Sequence, residues 1–242
     1  MDILEIQKNE YKIGSIWEFL NENEKIKIQS YYDTLIKFKD NNEFVTFLYS
    51  CGANHPIRRD SAYYTKDEFL ELKTFVDMGK NPLDEPHQQN KLVHTHISEF
   101  TKEVGIDEFF FDELYSFLDN LCAKIVNKLY NKNITAKNFE MRAQLTWYTE
   151  GDFIKMHDDG PINDRLCGVL IYLTPEEFYK AGNGGELVLK NKRNTIDIAY
   201  PTLGTYAVLD FTKNTPVHAV HKVIGDFNRF AYLNFVILNE NW

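Results

Sequence analysis

His157 and Asp159 stand two residues apart, just after the run Trp147-Tyr148-Thr149-Glu150-Gly151-Asp152-Phe153. A strand sends residues i and i+2 to the same face, so both side chains can converge on one point. Roughly sixty residues later comes Val217-His218-Ala219-Val220-His221. Two imidazoles and one carboxylate that leave coordination positions open suit Fe(II) and its oxidative chemistry. Arg229 follows in Gly225-Asp226-Phe227-Asn228-Arg229-Phe230-Ala231-Tyr232. Its guanidinium can hold a carboxylate in a two-point fork. A His-x-Asp pair alone carries little weight in a chain with 7 histidines. The order His-x-Asp, long gap, His, then a basic residue is much rarer than any one piece.

These residues fall in a half of the chain that reads as β. After about Asn138, short apolar or alternating runs cover Glu140–Trp147, Leu166–Leu173, Gly185–Leu189, Thr195–Ala199, Thr205–Phe211 and Arg229–Leu238. Turn signals separate them at Glu150-Gly151-Asp152, Asn183-Gly184-Gly185, Tyr200-Pro201-Thr202 and Gly225-Asp226. Such spacing, without long intervening helices, predicts an antiparallel sandwich or barrel, a jelly roll among the options. The first half reads as helical. Ile16 to about Lys37 suits one or two amphipathic helices, and Asp107 to about Tyr130 carries a wide apolar stripe for core packing. Thr65 with Glu68 forms a capping box opening a helix through Val76. Asp77–Lys91, with Pro82 and Pro86, reads as a long loop or lid. The expectation is a helical region, 1–135, packed on a β core, 136–242, as one integrated domain.

Composition limits the functions available. The chain has 242 residues, with 27 basic against 36 acidic side chains and a net charge of −9. That balance argues against a nucleic-acid partner, which needs a concentrated basic face. No apolar run reaches the roughly 18 residues of a membrane span, and the opening residues lack a secretory pattern. Cys51, Cys122 and Cys167 are too few and scattered for a disulfide framework. A reduced, cytoplasmic, soluble protein is expected, with no membrane partner.

Residues 140–237 resemble the double-stranded β-helix core of the Fe(II)- and 2-oxoglutarate-dependent dioxygenases, of the prolyl 4-hydroxylase type. The matching residues are Tyr148, His157 with Asp159, Ile171-Tyr172-Leu173, Gly184-Gly185-Glu186-Leu187, His218-Ala219-Val220 and Arg229. The resemblance implies an α+β chain with a jelly-roll, cupin-like core. It implies His157, Asp159 and His218 as ligands of Fe(II), and Arg229 with Tyr172 or Tyr148 at the distal carboxylate of 2-oxoglutarate. It also implies O2 as co-substrate and ascorbate as reductant. Gln144 shares the face of Tyr148 on the first core strand and is a candidate pocket residue.

Two features depart from the family pattern. Lys222 stands where many prolyl hydroxylases have proline, and the interval from His218 to Arg229 is a residue or two long, which predicts a bulge near Gly225-Asp226. His221 is read as a surface or supporting residue, Asp158 as a solvated carboxylate, and His94 and His96 as surface or loop histidines.

The implied activity is hydroxylation of an unactivated C–H bond with release of succinate and CO2. Retention of a carboxylate at Asp159 favours hydroxylation over halogenation. A free amino acid, another small metabolite or a peptidyl proline would each serve as substrate, and Arg58, Arg59 and Asp60 could contribute to a cover. A non-catalytic β-sandwich binding module is the alternative from another class. Nucleic-acid demethylation is disfavoured, because no second arginine follows Arg229 in its strand.

Overall fold

The structure is a computed structural model that describes residues 10–40, 47–49, 92–95, 108–138, 144–148, 150–151, 153–158, 165–212 and 216–237. For 38–40, 47–49, 92–95, 108–112, 144 and 155 it describes the backbone alone. The Thr65–Val76 helix, the Asp77–Lys91 loop, Arg58, Arg59, Asp60 and His96 lie outside the described residues.

Alternating side chains in the second half bury both faces of one sheet. In β6 (Arg165–Tyr172), Val169 and Ile171 enter one apolar cluster while Leu170 and Tyr172 enter another. In β11 (Arg229–Ile237), Phe230, Tyr232 and Val236 join the first cluster while Ala231 and Phe235 join the second. The pleat places successive residues on opposite faces. This sheet therefore has a helix-covered outer core and an inner core against a second sheet.

The larger sheet also includes β1 (Tyr11–Ser15), β2 (Phe47–Tyr49), β3 (Leu92–Thr95), β4 (Gln144–Tyr148) and β9 (Thr205–Asp210), in the order β1-β9-β6-β11-β4-β3-β2. The smaller sheet has the order β5-β10-β7-β8, formed by β5 (Ile154–His157), β7 (Leu187–Lys190), β8 (Ile196–Ala199) and β10 (Val217–Val220). All pairings in both sheets are antiparallel. Two antiparallel sheets joined by crossing connections form the expected jelly-roll core.

The first half contributes strands as well as helices. β1, β2 and β3 all extend the larger sheet, so its residues are built into the sheet and not only laid on it. Helix α1 (Glu22–Asp40) opens with a reciprocal cap: the Glu24 amide donates to Asn21 Oδ1 at 3.0 Å, and the Asn21 amide donates to Glu24 Oε2 at 2.8 Å. Each bond satisfies a backbone donor that a helix start leaves without a partner. Helix α2 (Glu108–Tyr130) buries Leu114, Leu118, Leu121, Cys122, Ile125 and Leu129 at the predicted spacing. Full burial of each leucine there contributes about 1.5–3 kcal/mol relative to exposure. The helices meet through an edge-on Tyr31–Phe117 pair, a Lys27–Glu113 ion pair and Lys124–Glu24 at 2.8 Å. Among the described residues no helix is long and apolar enough to cross a membrane.

Candidate active site

Strand register defines which side chains face one another between the sheets. At one level of the smaller sheet, His157, His218, Leu189 and Asp197 form a cross-strand row. At the corresponding face of the larger sheet, Phe235, Gly168, Leu209 and Tyr11 form another. Leu189, Leu209, Tyr11 and Phe235 all belong to the inner apolar cluster, which assigns both rows to the interior.

The two histidines come together through an irregularity in β5. His157 pairs with His218 and Ile154 with Val220, so three steps along β5 match two along β10. One extra residue is a β-bulge, which reverses the alternation of the strand it interrupts. Without it, Ile154 and His157 would point to opposite faces; with it, both point inward. The imidazole centroids lie 4.3 Å apart at an interplanar angle of 48°. His218 Nδ1 lies 2.9 Å from the Pro216 carbonyl oxygen. A carbonyl can only accept, so Nδ1 carries the proton and Nε2 keeps its lone pair for coordination.

Arg229 opens β11 deeper in the sandwich, paired with Tyr148. It is 2% exposed, and its Nε donates to the Gly185 carbonyl at 2.7 Å. The guanidinium carbon sits 4.7 Å from the Tyr148 ring centroid and 5.1 Å from that of Tyr172. Among the described residues it forms no ion pair. The fully buried Tyr172 hydroxyl has no hydrogen-bond partner of acceptable geometry. Burial raises the Tyr172 pKa while the nearby Arg229 charge opposes the rise, so this phenol stays a neutral donor. A buried cation without an anion beside an orphaned donor is costly unless a ligand completes it. The chemistry that completes it is a carboxylate.

Local backbone makes this approach possible. Gly184 and Gly185 have φ of +71° and +78°, and a Cβ at Gly185 would lie 3.1 Å from Arg229 Cδ. The interval between His218 and Arg229 is taken up by the loop 221–228. It is pinned by Gly151 N–H to the Val223 carbonyl at 2.9 Å and by Ile224 N–H to the Asn183 carbonyl at 2.7 Å. Gly225 in this loop has φ +72°.

Asp159 lies outside the described residues, and Gln144 is placed by backbone alone, paired with Leu233. Among the described residues no group of three metal-ligating side chains converges. His157 and His218 nonetheless bring two of the three expected ligands together, and their imidazoles would suit a divalent metal completed by a carboxylate. Asp158 is exposed, as expected of a solvated carboxylate. His221 is exposed beyond the end of β10, with Nδ1 at 3.1 Å from Glu186 Oε2. His94 belongs to β3, opposite Thr146, and so lies in a strand and not in a loop. Sequence reasoning missed the Gly185 and Pro216 carbonyls. The Gly184-Gly185 pair was the available signal for the first; a backbone carbonyl beside His218 leaves none.

Residues 143–236 match the 2OG-Fe(II) oxygenase superfamily family model. A comparison with curated protein sequences found no match. Among solved structures, the chain is similar to a prolyl-4-hydroxylase from Pseudomonas putida, with 13% identity and a TM-score of 0.54, over 98% of this chain and 97% of that one. It is also similar to a prolyl hydroxylase from Trichoplax adhaerens in complex with a hypoxia inducible factor oxygen degradation domain peptide fragment. There the identity is 15% and the TM-score 0.58, over 98% of this chain and 87% of that one. At such identities the likeness shows the fold alone. Residues 143–236 thus match the 2OG-Fe(II) oxygenase superfamily, and the chain shares its fold with the two prolyl hydroxylase structures.

Proposed function

We propose that the protein is an Fe(II)- and 2-oxoglutarate-dependent hydroxylase acting on an unactivated C–H bond of an amino-acid unit, with release of succinate and CO2. The observation that carries this reading is the buried Arg229, beside the Tyr172 hydroxyl, neither of which has an anionic partner among the described residues. A soluble dicarboxylate bound through its distal end would satisfy both groups.

In this reading His157, His218 and Asp159 hold the metal, with the His218 ring oriented by Pro216. Arg229 and Tyr172 grip the distal carboxylate, and Tyr148 stacks on the guanidinium to fix its plane. Gln144, on the same strand as Tyr148, is the residue proposed for substrate contact. Fe(II) and its bound co-substrate supply the O2-activating chemistry, while the protein supplies orientation and a dry chamber. The Trichoplax enzyme's peptide complex supports an amino-acid unit as the target, free or within a peptide. Cys122 and Cys167 are free and buried, which supports a reducing compartment such as the cytoplasm.

The test is succinate formation by purified protein with Fe(II), ascorbate and 2-oxoglutarate, together with calorimetric titration of 2-oxoglutarate into metal-loaded protein. Saturable 2-oxoglutarate binding and succinate release are expected. Absence of both removes the reading.

A further inference from the structure

The Gly185 carbonyl that fixes Arg229 lies in a stretch with little stiffness of its own. Gly184 and Gly185 both have positive φ, and a residue without a Cβ has more backbone freedom than any other. Gly185 and Glu186 together stand opposite His221. The His221 amide donates to the Glu186 carbonyl at 2.9 Å, and the Gly185 amide donates to the His221 carbonyl at 3.0 Å. Two residues against one, the first a left-handed glycine, make a β-bulge where β7 begins. The Gly185 carbonyl belongs to the peptide plane that ends at the Glu186 Cα, so whatever holds Glu186 aims that carbonyl.

Glu186 is held by both of its side-chain oxygens. Oε1 accepts from the Tyr179 hydroxyl at 2.5 Å, and Oε2 lies 3.1 Å from His221 Nδ1. Burial opposes the charge on Glu186, yet the Tyr179 hydroxyl, its own backbone amide and His221 outweigh it and hold its pKa below the usual carboxylate value. A carboxylate can only accept, so Nδ1 of His221 carries the proton. Tyr179 precedes the two glycines and His221 follows β10, so one carboxylate ties together the chain on either side of the bulge. The Tyr179 ring also stands edge-on to buried Phe227, 5.5 Å between centroids, in the loop that leads to Arg229. Leu187 and Leu189 enter the inner apolar cluster, so the alternating Glu186 side chain lies on the outer face of the smaller sheet, 12% exposed.

We propose that Glu186 is a positioning residue for the co-substrate: clamped by Tyr179 and His221, it fixes the Gly185 carbonyl and through it the Arg229 guanidinium that receives the distal carboxylate of 2-oxoglutarate. This inference rests on the hydroxylase reading above, since it supplies the support of that reading's carboxylate site. From the outer face Glu186 touches neither co-substrate nor metal and acts only through Gly185 and Arg229. Without the clamp the Gly185 peptide can rotate, and the terminal nitrogens of Arg229 must be ordered by the ligand at the expense of affinity.

The experiment must separate this chain of contacts from general support of the fold. The affinity of metal-loaded protein for 2-oxoglutarate is measured by calorimetry for Glu186→Ala, Glu186→Gln and the double variant Tyr179→Phe with His221→Ala. Each is made in the wild-type background and combined with Arg229→Lys, and the melting temperature of every protein is recorded. Glu186→Ala should weaken 2-oxoglutarate binding about tenfold or more, the scale of a lost hydrogen bond to a charged group. Glu186→Gln keeps a side chain of the same length that can bond both neighbours, and should recover most of that affinity. The double variant removes both donors while keeping the aromatic packing, and should approach the loss seen in Glu186→Ala. Combined with Arg229→Lys, where the link from Gly185 to the guanidinium is already cut, each change should alter affinity by less than about twofold.

Equal losses in both backgrounds would show Glu186 to be a support of the fold at large and would overturn the proposal. So would an affinity unchanged in Glu186→Ala, or no recovery in Glu186→Gln. If Glu186→Ala does not fold, the double variant decides by the same comparison. If wild type binds 2-oxoglutarate while the losses simply add, only this inference falls. If 2-oxoglutarate does not bind wild type at all, the hydroxylase reading falls and takes the inference with it.

Discussion

Arg229 Nε donates to the Gly185 carbonyl at 2.7 Å, and this contact decides which edge of the guanidinium is available. With the side edge occupied, the two terminal nitrogens remain for a carboxylate, while the rings of Tyr148 and Tyr172 hold the plane. Lysine has no planar fork and cannot bond Gly185 and both carboxylate oxygens at once. Arg229→Lys should weaken 2-oxoglutarate binding by about 10–100-fold, the scale of a lost charge-assisted hydrogen bond. Calorimetry on metal-loaded protein measures this. An unchanged affinity would show that Arg229 does not hold the co-substrate.

Ligand binding should also be visible as stability. A ligand that binds only the folded state at a hundred times its dissociation constant adds about 2.7 kcal/mol. The melting temperature of wild type should therefore climb with 2-oxoglutarate concentration, and that of Arg229→Lys should climb much less. Equal climbs in both proteins would mean that the stabilising site lies elsewhere.

The glycine pair makes a separate demand. A Cβ at Gly184 would lie 1.8 Å from the Lys222 carbonyl oxygen, in a backbone conformation with φ +71°. Gly184→Ala should destabilise the fold by about 3 kcal/mol or more through left-handed strain plus overlap. At Gly185 the nearest obstacle is flexible Arg229 Cδ at 3.1 Å, so Gly185→Ala should act more on 2-oxoglutarate affinity than on melting. Denaturant titration of the two variants, alongside calorimetry, separates these effects.

His218→Ala should abolish metal binding and substrate-linked succinate formation while leaving far-ultraviolet circular dichroism intact. Asp159→Ala should behave alike if its carboxylate completes the ligand set. Undiminished turnover in either variant would refute that variant's ligand assignment.

Asp119 on α2 predicts a pH effect remote from the site. Its Oδ1 accepts from the Tyr232 hydroxyl at 2.5 Å and from Asn234 Nδ2 at 2.7 Å, yet burial outweighs both donors and raises its pKa. A carboxyl raised on folding favours the native state below its unfolded value near 4 and loses that contribution as pH rises through the folded value. Asp119→Asn keeps an oxygen for both donors without a charge to bury. It should melt above wild type at neutral pH, and the gap should close as pH falls below about 4. A gap independent of pH would refute the account.

The parts of this architecture written in local pattern were legible from sequence. The stripe Leu114–Leu129 marked α2, and alternation in Leu166–Leu173 and Arg229–Leu238 marked the two central strands. The extra residue between Ile154 and His157 had no signal in the sequence, because a bulge leaves no mark on composition. β1 was missed because Tyr-Lys-Ile-Gly-Ser is too short to show a period, and its place comes from pairing with β9 nearly two hundred residues away. The Tyr11–Asp197 bond has the same origin: contacts across such separation depend on topology and not on neighbouring residues. Arg229 was found through its type and spacing, but the absence of a carboxylate beside it among the described residues is a property of the packed interior.

The bulge in β5 marks a place where that strand can lose a residue and keep its histidine. A one-residue deletion between Ile154 and His157 would match two steps on β5 to two on β10 and restore regular pleating, with Ile154 still opposite Val220 and the imidazole still opposite His218 on the inner face. The extra residue is absorbed inside the strand, where it bends the backbone without moving the residues on either side to the other face. Chains that differ in length by one residue here can thus present the same pair of imidazoles, and an alignment that allows no gap at residues 155 and 156 would pair positions that are not spatially equivalent.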